Sequence, residues 1–285
     1  TFEVIVSQDN QAPTISCPGN ILDNTDEDVC TALVSGIATP TYSDPDDNIV
    51  SVTWTMTGAT TDYSPQTGIN ILTSHTFNLG TTTVTYRVTD AGGLSEECSF
   101  TVTVLDNQNP TIECPSSVTV SADANSCTAS GVTLGTPTFS DNCTLPSNAL
   151  TNDAPSVFPL GTTVVIWTVT DGAGLTSTCS QLVTVLDNQN PSITCPSDPQ
   201  NRSIISPVTT YTAVGSEFDA TASDNCGGTV VRTNSLNSGS TLAGYTFPVG
   251  TTSVTWYATD ASGNTSSCTF EVIVSQDNQA PTISC

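Results

Sequence analysis

Residues 77–115 read FNLGTTTVTYRVTDAGGLSEECSFTVTVLDNQNPTIECP. Val84, Tyr86 and Val88 alternate with mostly polar neighbours, and beyond a Gly-rich turn Cys98, Phe100, Val102 and Val104 alternate again. A period of two puts successive side chains on opposite faces of a strand, so the stretch reads as an antiparallel hairpin with one face in a core and the other in water. It recurs without gaps at residues 158–196 and 247–285. Val165, Trp167 and Val169, then Val254, Trp256 and Ala258, hold the first-strand positions, and Cys268, Phe270, Val272 and Val274 form the last return strand. Helix signals are absent, while Thr, Ser and Val are abundant and Gly and Pro are spread through turns. The predicted fold class is all-β, as tandem antiparallel β-sandwiches.

A longer recurrence sets the boundaries. Residues 1–17, TFEVIVSQDNQAPTISC, return unchanged as residues 269–285. Cys-Pro pairs open at Cys17, Cys114 and Cys195, about 80–100 residues apart, a natural size for a small sandwich. Residues 1–8 then read as the final strand of a preceding repeat, 9–105, 106–186 and 187–276 as three repeats, and 277–285 as the start of the next. Thr1 falls inside a strand pattern, as expected of a mature or excised piece, and no signal peptide opens the sequence.

The 285 residues carry 27 Asp plus Glu against three Arg (Arg87, Arg202, Arg232) and no Lys, for a formal net charge of −24. That balance repels phosphate backbones and anionic headgroups, so nucleic acid is not an expected partner. No apolar run approaches the roughly 20 residues of a membrane span, so no direct membrane insertion is expected. None of the eleven cysteines stands in a CxxC arrangement. Disulfides in an oxidising setting, extracellular or cell-surface, are the remaining reading. Without Lys, Lys–Asn isopeptide cross-links cannot form, so covalent bracing falls to the cysteines. One histidine, His75, with no GxSxG elbow beside it, leaves no nucleophile and base, and the chain reads as not an enzyme.

The order CP, a second Cys, DNC, then VGTTxVTxxxTDxxGxxxxCxFxVxVxDNxxP resembles the hyalin repeat (HYR), a family of extracellular immunoglobulin-like modules of adhesive and matrix proteins. The resemblance covers essentially the whole chain as three copies. It implies an immunoglobulin-like sandwich and a structural or adhesive role, and it implies no catalytic residues. The first copy departs by carrying Asp44-Pro45-Asp46 where DNC would stand, and the third lacks the second cysteine.

Three acidic positions recur in each copy: the linker Asp (Asp9, Asp106, Asp187), the Asp after strand B (Asp44 or Asp46, Asp141, Asp224) and the Asp ending strand F (Asp90, Asp171, Asp260). In an immunoglobulin-like topology the entrance, the B–C loop and the F–G turn share one end, so these carboxylates are expected to converge there. Hard oxygen ligands gathered in this way suit Ca²⁺, and the linker resembles the calcium linkers of cadherins. The competing reading is that Asp and Asn close turns on nearby backbone amides. Asn201 and Asn264 head glycosylation sequons, and a third sequon, at Asn142, adjoins a cysteine expected to be bridged.

Strand direction sorts the cysteines by end. The Cys-Pro cysteines, the last cysteines (Cys98, Cys179, Cys268) and the DNC cysteines (Cys143, Cys226) fall at the entrance, whereas Cys30 and Cys127 fall at the exit and face the next entrance. A disulfide needs Cα atoms within about 7 Å. The expected bonds are therefore Cys17–Cys98, Cys114–Cys179 and Cys195–Cys268 within copies and Cys30–Cys143 and Cys127–Cys226 between them, with Cys285 bonding onward. An intradomain Cys127–Cys143 bond is the alternative. The function this favours is a structural repeat of an extracellular fibre, surface layer or stalk whose partners are copies of itself end to end. The alternative is a cell-surface adhesin that binds a protein or glycan through its variable segments, Asp44–His75 and Asn201–Tyr245.

Overall fold

Alternating Val and Thr favour extended backbone with one apolar face, and the long hairpin strands are built on that pattern. The computed structural model describes residues 10–277, and among these there are strands but no α-helix. Contacts gather the residues into two units, one of residues 10–115, 136–153 and 166–180, the other of residues 116–135, 154–165 and 181–277.

In the first unit, the first copy of the motif contributes β1 (Thr14–Ser16), β2 (Ile21–Asn24), β3 (Thr31–Ser35), β4 (Thr41–Ser43), β5 (Ile49–Gly58), β6 (Asp62–Tyr63), β7 (Gly68–Ile69), β8 (Ser74–Asn78), β9 (Gly80–Asp90) and β10 (Ser95–Leu105). The large sheet runs β2-β10-β9-β5-β6, with β7 beside β5, and two short sheets, β1-β4 and β3-β8, lie across from it. β3 and β4 are halves of one strand path, parted where Gly36 adopts a φ of 71°, a left-handed conformation that glycine enters without a Cβ clash. Val84, Tyr86, Val88, Phe100, Val102 and Val104 from the hairpin meet Ala32, Val34 and Phe77 in one buried core, with Ile15 and Tyr42 packed against it. The two layers thus share a core, as in a sandwich. The hydroxyl of Tyr86, fully buried, accepts the amide of Leu72 at 3.0 Å.

The second copy spreads over both units. β11 (Thr111–Glu113), β14 (Thr138–Ser140) and β15 (Leu150–Asn152) belong to the first, and β12 (Val118–Ser121), β13 (Thr128–Ser130) and β16 (Val157–Pro159) to the second. Its hairpin strands, β17 (Gly161–Thr170) and β18 (Thr176–Leu186), contribute residues to each. The strand order β12-β18-β17-β15 repeats that of the first copy, including a parallel pairing of the second strand with the last. Gln181 stands where the other copies have Phe100 and Phe270. It is buried, and its Nε2 donates to the carbonyls of Ser116 (2.7 Å) and Leu134 (2.6 Å), which offsets the cost of an amide in a core.

The third copy, in the second unit, adds β19 (Ser192–Thr194), β20 (Gln200–Ile205), β21 (Thr210–Thr212), β22 (Thr221–Ser223), β23 (Val231–Asn234), β24 (Thr246–Pro248), β25 (Gly250–Thr259) and β26 (Thr265–Asp277). Phe218, Phe247, Val254, Trp256, Phe270, Val272 and Val274 fill its core, and the Trp256 indole donates to the carbonyl of Phe218 at 2.9 Å.

Candidate metal centres

Each copy begins with a linker, and the loops that meet it are built from residues that close turns. At the entrance of the second copy, Asp141 directly follows β14 and accepts the amide of Cys143 at 3.0 Å through Oδ2. Asp171 directly follows β17 and accepts the amide of Leu175 at 2.8 Å through Oδ1. Asp106 in the linker accepts the amide of Gln108 at 3.1 Å through Oδ1. The turn-closing role therefore accounts for one oxygen of each carboxylate. It does not account for the others: Oδ1 of Asp141, Oδ2 of Asp171 and the neighbouring Oδ1 of Asn142 are buried with no hydrogen-bond partner, although Asp171 is only 4% exposed. Oxygens of Asp106 and Asp141 lie within 4.8 Å of one another. Burial first, then the nearby charges of Asp106 and Asp171, push the Asp141 carboxyl above its ordinary value against the opposing Cys143 amide.

The first and third entrances follow the same plan with different partners. In the first, Asp44 Oδ1 accepts the amide of Asp46 at 2.6 Å, and Asp46 Oδ2 accepts that of Gln11 at 2.7 Å. Asp90 holds the Leu94 amide with one oxygen and the Asn10 side-chain amide with the other, at 2.8 and 2.9 Å. Asp44 Oδ2 and Asn48 Oδ1 are buried and unpartnered. The linker residue Asp9 lies outside the described residues, as does Cys285. In the third, Asp224 Oδ2 accepts the Cys226 amide at 2.8 Å, its Oδ1 is buried and unpartnered, and oxygens of Asp187 and Asp224 lie within 4.8 Å. Burial would raise Asp260, but the Asn264 side chain and the amides of Asn264, Ser262 and Gly263 outweigh it and hold the carboxyl below its ordinary value.

All the buried unpartnered side-chain atoms among the described residues are oxygens at these three entrances. An acceptor left in that state costs about 1–3 kcal/mol. Carboxylate and amide oxygens with no donor to face are what a hard divalent cation takes, and Ca²⁺ fits this donor set. At the second entrance Asp106 and Asp141, whose oxygens lie together, would hold it with Asn142, and Asp171, near enough for its charge to act on Asp141, has a further oxygen without a partner. The adjoining cysteines offer no ligand, because Cys143 and Cys226 are disulfide-bonded.

The structure joins Cys17 to Cys98, Cys114 to Cys179 and Cys195 to Cys268, with Cα atoms 5.6, 5.7 and 5.9 Å apart. It joins Cys30 to Cys143 and Cys127 to Cys226, at 4.8 and 4.9 Å. Cys17 follows the short strand β1, which starts at Thr14, where the sequence reading has the cysteine opening strand A. Of the sequons, Asn201 is exposed on β20, whereas the Asn264 Nδ2 is engaged by Asp260 and by the carbonyl of Asp187.

Beside each of these two interdomain bridges sits a clamp that the sequence reading does not name. Gln108 Nε2 donates to Thr25 Oγ1 and to the Asp26 carbonyl, and its Oε1 accepts the Asp28 amide at 3.0 Å. Gln189 repeats this with the carbonyls of Asp123 and Ser126 and the Asn125 amide. Asp28 and Asn125 both have positive φ, 61° and 58°, at the tip of the exit turn. The signal was the identical LDNQNP at residues 105–110 and 186–191. The Asn142 amide also crosses the first junction, to the Val29 carbonyl at 3.1 Å.

Comparison with known proteins places these features. The HYR domain family matches residues 8–104, 105–185 and 186–274. Hyalin of Strongylocentrotus purpuratus is 33% identical over 73% of this chain and 17% of its own length. Hyalin of Lytechinus variegatus is 28% identical over 100% of this chain and 51% of its own. The serine-rich adhesin for platelets of Staphylococcus aureus is 26% identical over 86% of this chain and 18% of its own. The chain thus spans about half or less of the relatives it matches. Among solved structures, protocadherin gamma B2 domains 1–5 align with 96% of this chain and 61% of theirs at a TM-score of 0.40 and 12% identity. With copies of one family profile covering it almost end to end, the chain belongs to the HYR domain family.

Proposed function

We propose that the chain is a non-catalytic structural segment of an extracellular array: three sandwiches bounded near Asp9, Asp106 and Asp187, partnered end to end by copies of the same kind, with junctions fixed by interdomain disulfides and by Ca²⁺. The chain is extracellular or cell-surface, the setting in which its five disulfides persist. The observation that carries the reading is the second entrance. There the Cys30–Cys143 bridge, the Gln108 clamp and the unpartnered oxygens of Asp141, Asn142 and Asp171 stand together around one linker. A covalent bond fixes the distance between exit turn and entrance loop, and a cation drawing three loops to one point fixes their angle. The family, and relatives named hyalin and adhesin, support a structural or adhesive role.

The test is thermal unfolding of the disulfide-bonded chain in millimolar Ca²⁺ and in chelator. A ligand held only by the folded junction stabilises it by about 2.7 kcal/mol at a hundredfold excess over Kd, so calcium is expected to raise the melting temperature by several degrees. Superimposable curves return the carboxylates to turn formers. A second reading, adhesion through a variable segment, is favoured by Tyr63 and Ile69, exposed on the edge strands β6 and β7 that the first copy inserts.

A further inference from the structure

The three turns that close on the strand-F aspartate are nearly identical in backbone and differ in side chains. They read Asp90-Ala91-Gly92-Gly93-Leu94, Asp171-Gly172-Ala173-Gly174-Leu175 and Asp260-Ala261-Ser262-Gly263-Asn264. In each, the amide four residues on donates to the aspartate Oδ1 at 2.8 Å. In the second copy Ala173 and Leu175 carry no donor, and Asp171 Oδ2 is left buried and unpartnered. In the third copy both positions have become donors. Asn264 Nδ2 reaches Asp260 Oδ2 at 2.9 Å and the Asp187 carbonyl at 3.1 Å, and Ser262 Oγ reaches Asp187 Oδ2 at 3.3 Å.

We propose that the Ser262 and Asn264 side chains stand in for a cation at the third entrance, so that of the two disulfide-bridged junctions only the one built on Asp106, Asp141 and Asp171 takes up calcium tightly. The inference rests on the calcium reading above and adds which junction responds. An ion at the second entrance meets oxygens that have no partner, so binding forfeits no hydrogen bond there. An ion at the third has to displace donors that already satisfy Asp260 and Asp187, and among the described residues there only Asp224 Oδ1 is buried without one. The first entrance uses a related device from the linker side, where Asn10 Nδ2 caps Asp90 Oδ2. One junction is thereby set by calcium concentration and its neighbour is set by sequence.

Exchanging the two turns tests this. Ser262→Ala with Asn264→Leu gives the third turn the donor-free side chains of the second, and Ala173→Ser with Leu175→Asn gives the second the donors of the third. Each is measured in the full disulfide-bonded chain by calorimetric titration with Ca²⁺ after chelator treatment. The first exchange is expected to add about one tight equivalent and the second to remove about one, with the affected site changing at least about tenfold in Kd. In the unexchanged chain Asp171→Asn removes a tight equivalent and Asp260→Asn does not, a comparison that stands even where an exchange impairs folding. Equal losses from Asp171→Asn and Asp260→Asn, or exchanges that leave the stoichiometry unchanged, overturn the proposal while leaving calcium binding intact. A wild-type chain that binds no calcium overturns the calcium reading itself, and this inference with it.

Discussion

Arg202 on β20 lies with its guanidinium carbon 4.8 Å from the Phe218 ring centroid, and its Nη2 sits 2.9 Å from Glu217 Oε2. Glu217 also accepts the Tyr211 hydroxyl at 2.9 Å and the Val214 amide at 2.7 Å. Burial alone would raise the Glu217 carboxyl, but the Val214 amide, Arg202 and Tyr211 outweigh it and hold it below its ordinary value. The folded pKa is depressed, so the stability this group contributes is complete above the unfolded value of about 4.3 and is lost as pH falls through the folded one. Glu217→Gln is therefore expected to destabilise the third copy by about 1 kcal/mol near neutrality, and the gap to wild type is expected to close as melting is followed down to about pH 3. A gap that stays constant with pH assigns the effect to packing. None of this was legible beforehand, because Arg202, Tyr211 and Glu217 meet only once β20, β21 and the connection from β21 to β22 are packed together.

At the scale of elements, the hairpins β9–β10, β17–β18 and β25–β26 were legible because period-2 burial is written into the sequence itself, and the fully buried Val84, Tyr86, Val88, Val254 and Trp256 occupy the positions it marks. The sheet that faces them was not. β3 and β4 are too short, and too rich in small or hydroxyl residues, for a period to show, and the parallel pairing of β2 with β10 depends on a chain crossing that alternation does not encode. That the linker and strand-B aspartates lie close at the second and third entrances is consistent with which end each strand leaves. The glutamine clamps did not, since a Gln side chain has no preferred partner until the exit turn fixes where its carbonyls point. Gln189→Ala removes the acceptor of the Asn125 amide at the tip of that turn. Hydrogen exchange of Asn125 is expected to quicken about tenfold, the equivalent of a hydrogen bond of ordinary net strength, and unchanged protection would show that the disulfide alone holds the turn.

At the scale of the whole chain, the disulfides define a path for tension. A pull arriving at Cys17 crosses to Cys98, 5.6 Å away, and leaves along β10, a strand already extended, toward the linker. Cys114–Cys179 and Cys195–Cys268 repeat the step. The loops that close over, with sequence separations of 81, 65 and 73, lie outside the path. Unravelling a sandwich therefore adds almost no length while its own bridge is intact. Cys30–Cys143 and Cys127–Cys226 do a different job: each sets a second covalent connection beside a linker, and two connections resist rotation that one permits. Pulled by its ends, the oxidised chain is expected to lengthen little beyond its linkers. After reduction each freed loop is expected to release about 215–290 Å, at about 3.3–3.6 Å per extended residue. Three steps of that size in the oxidised chain would overturn the within-copy pairing, and with it the idea that a mechanical load bypasses the sandwiches and runs through one strand of each.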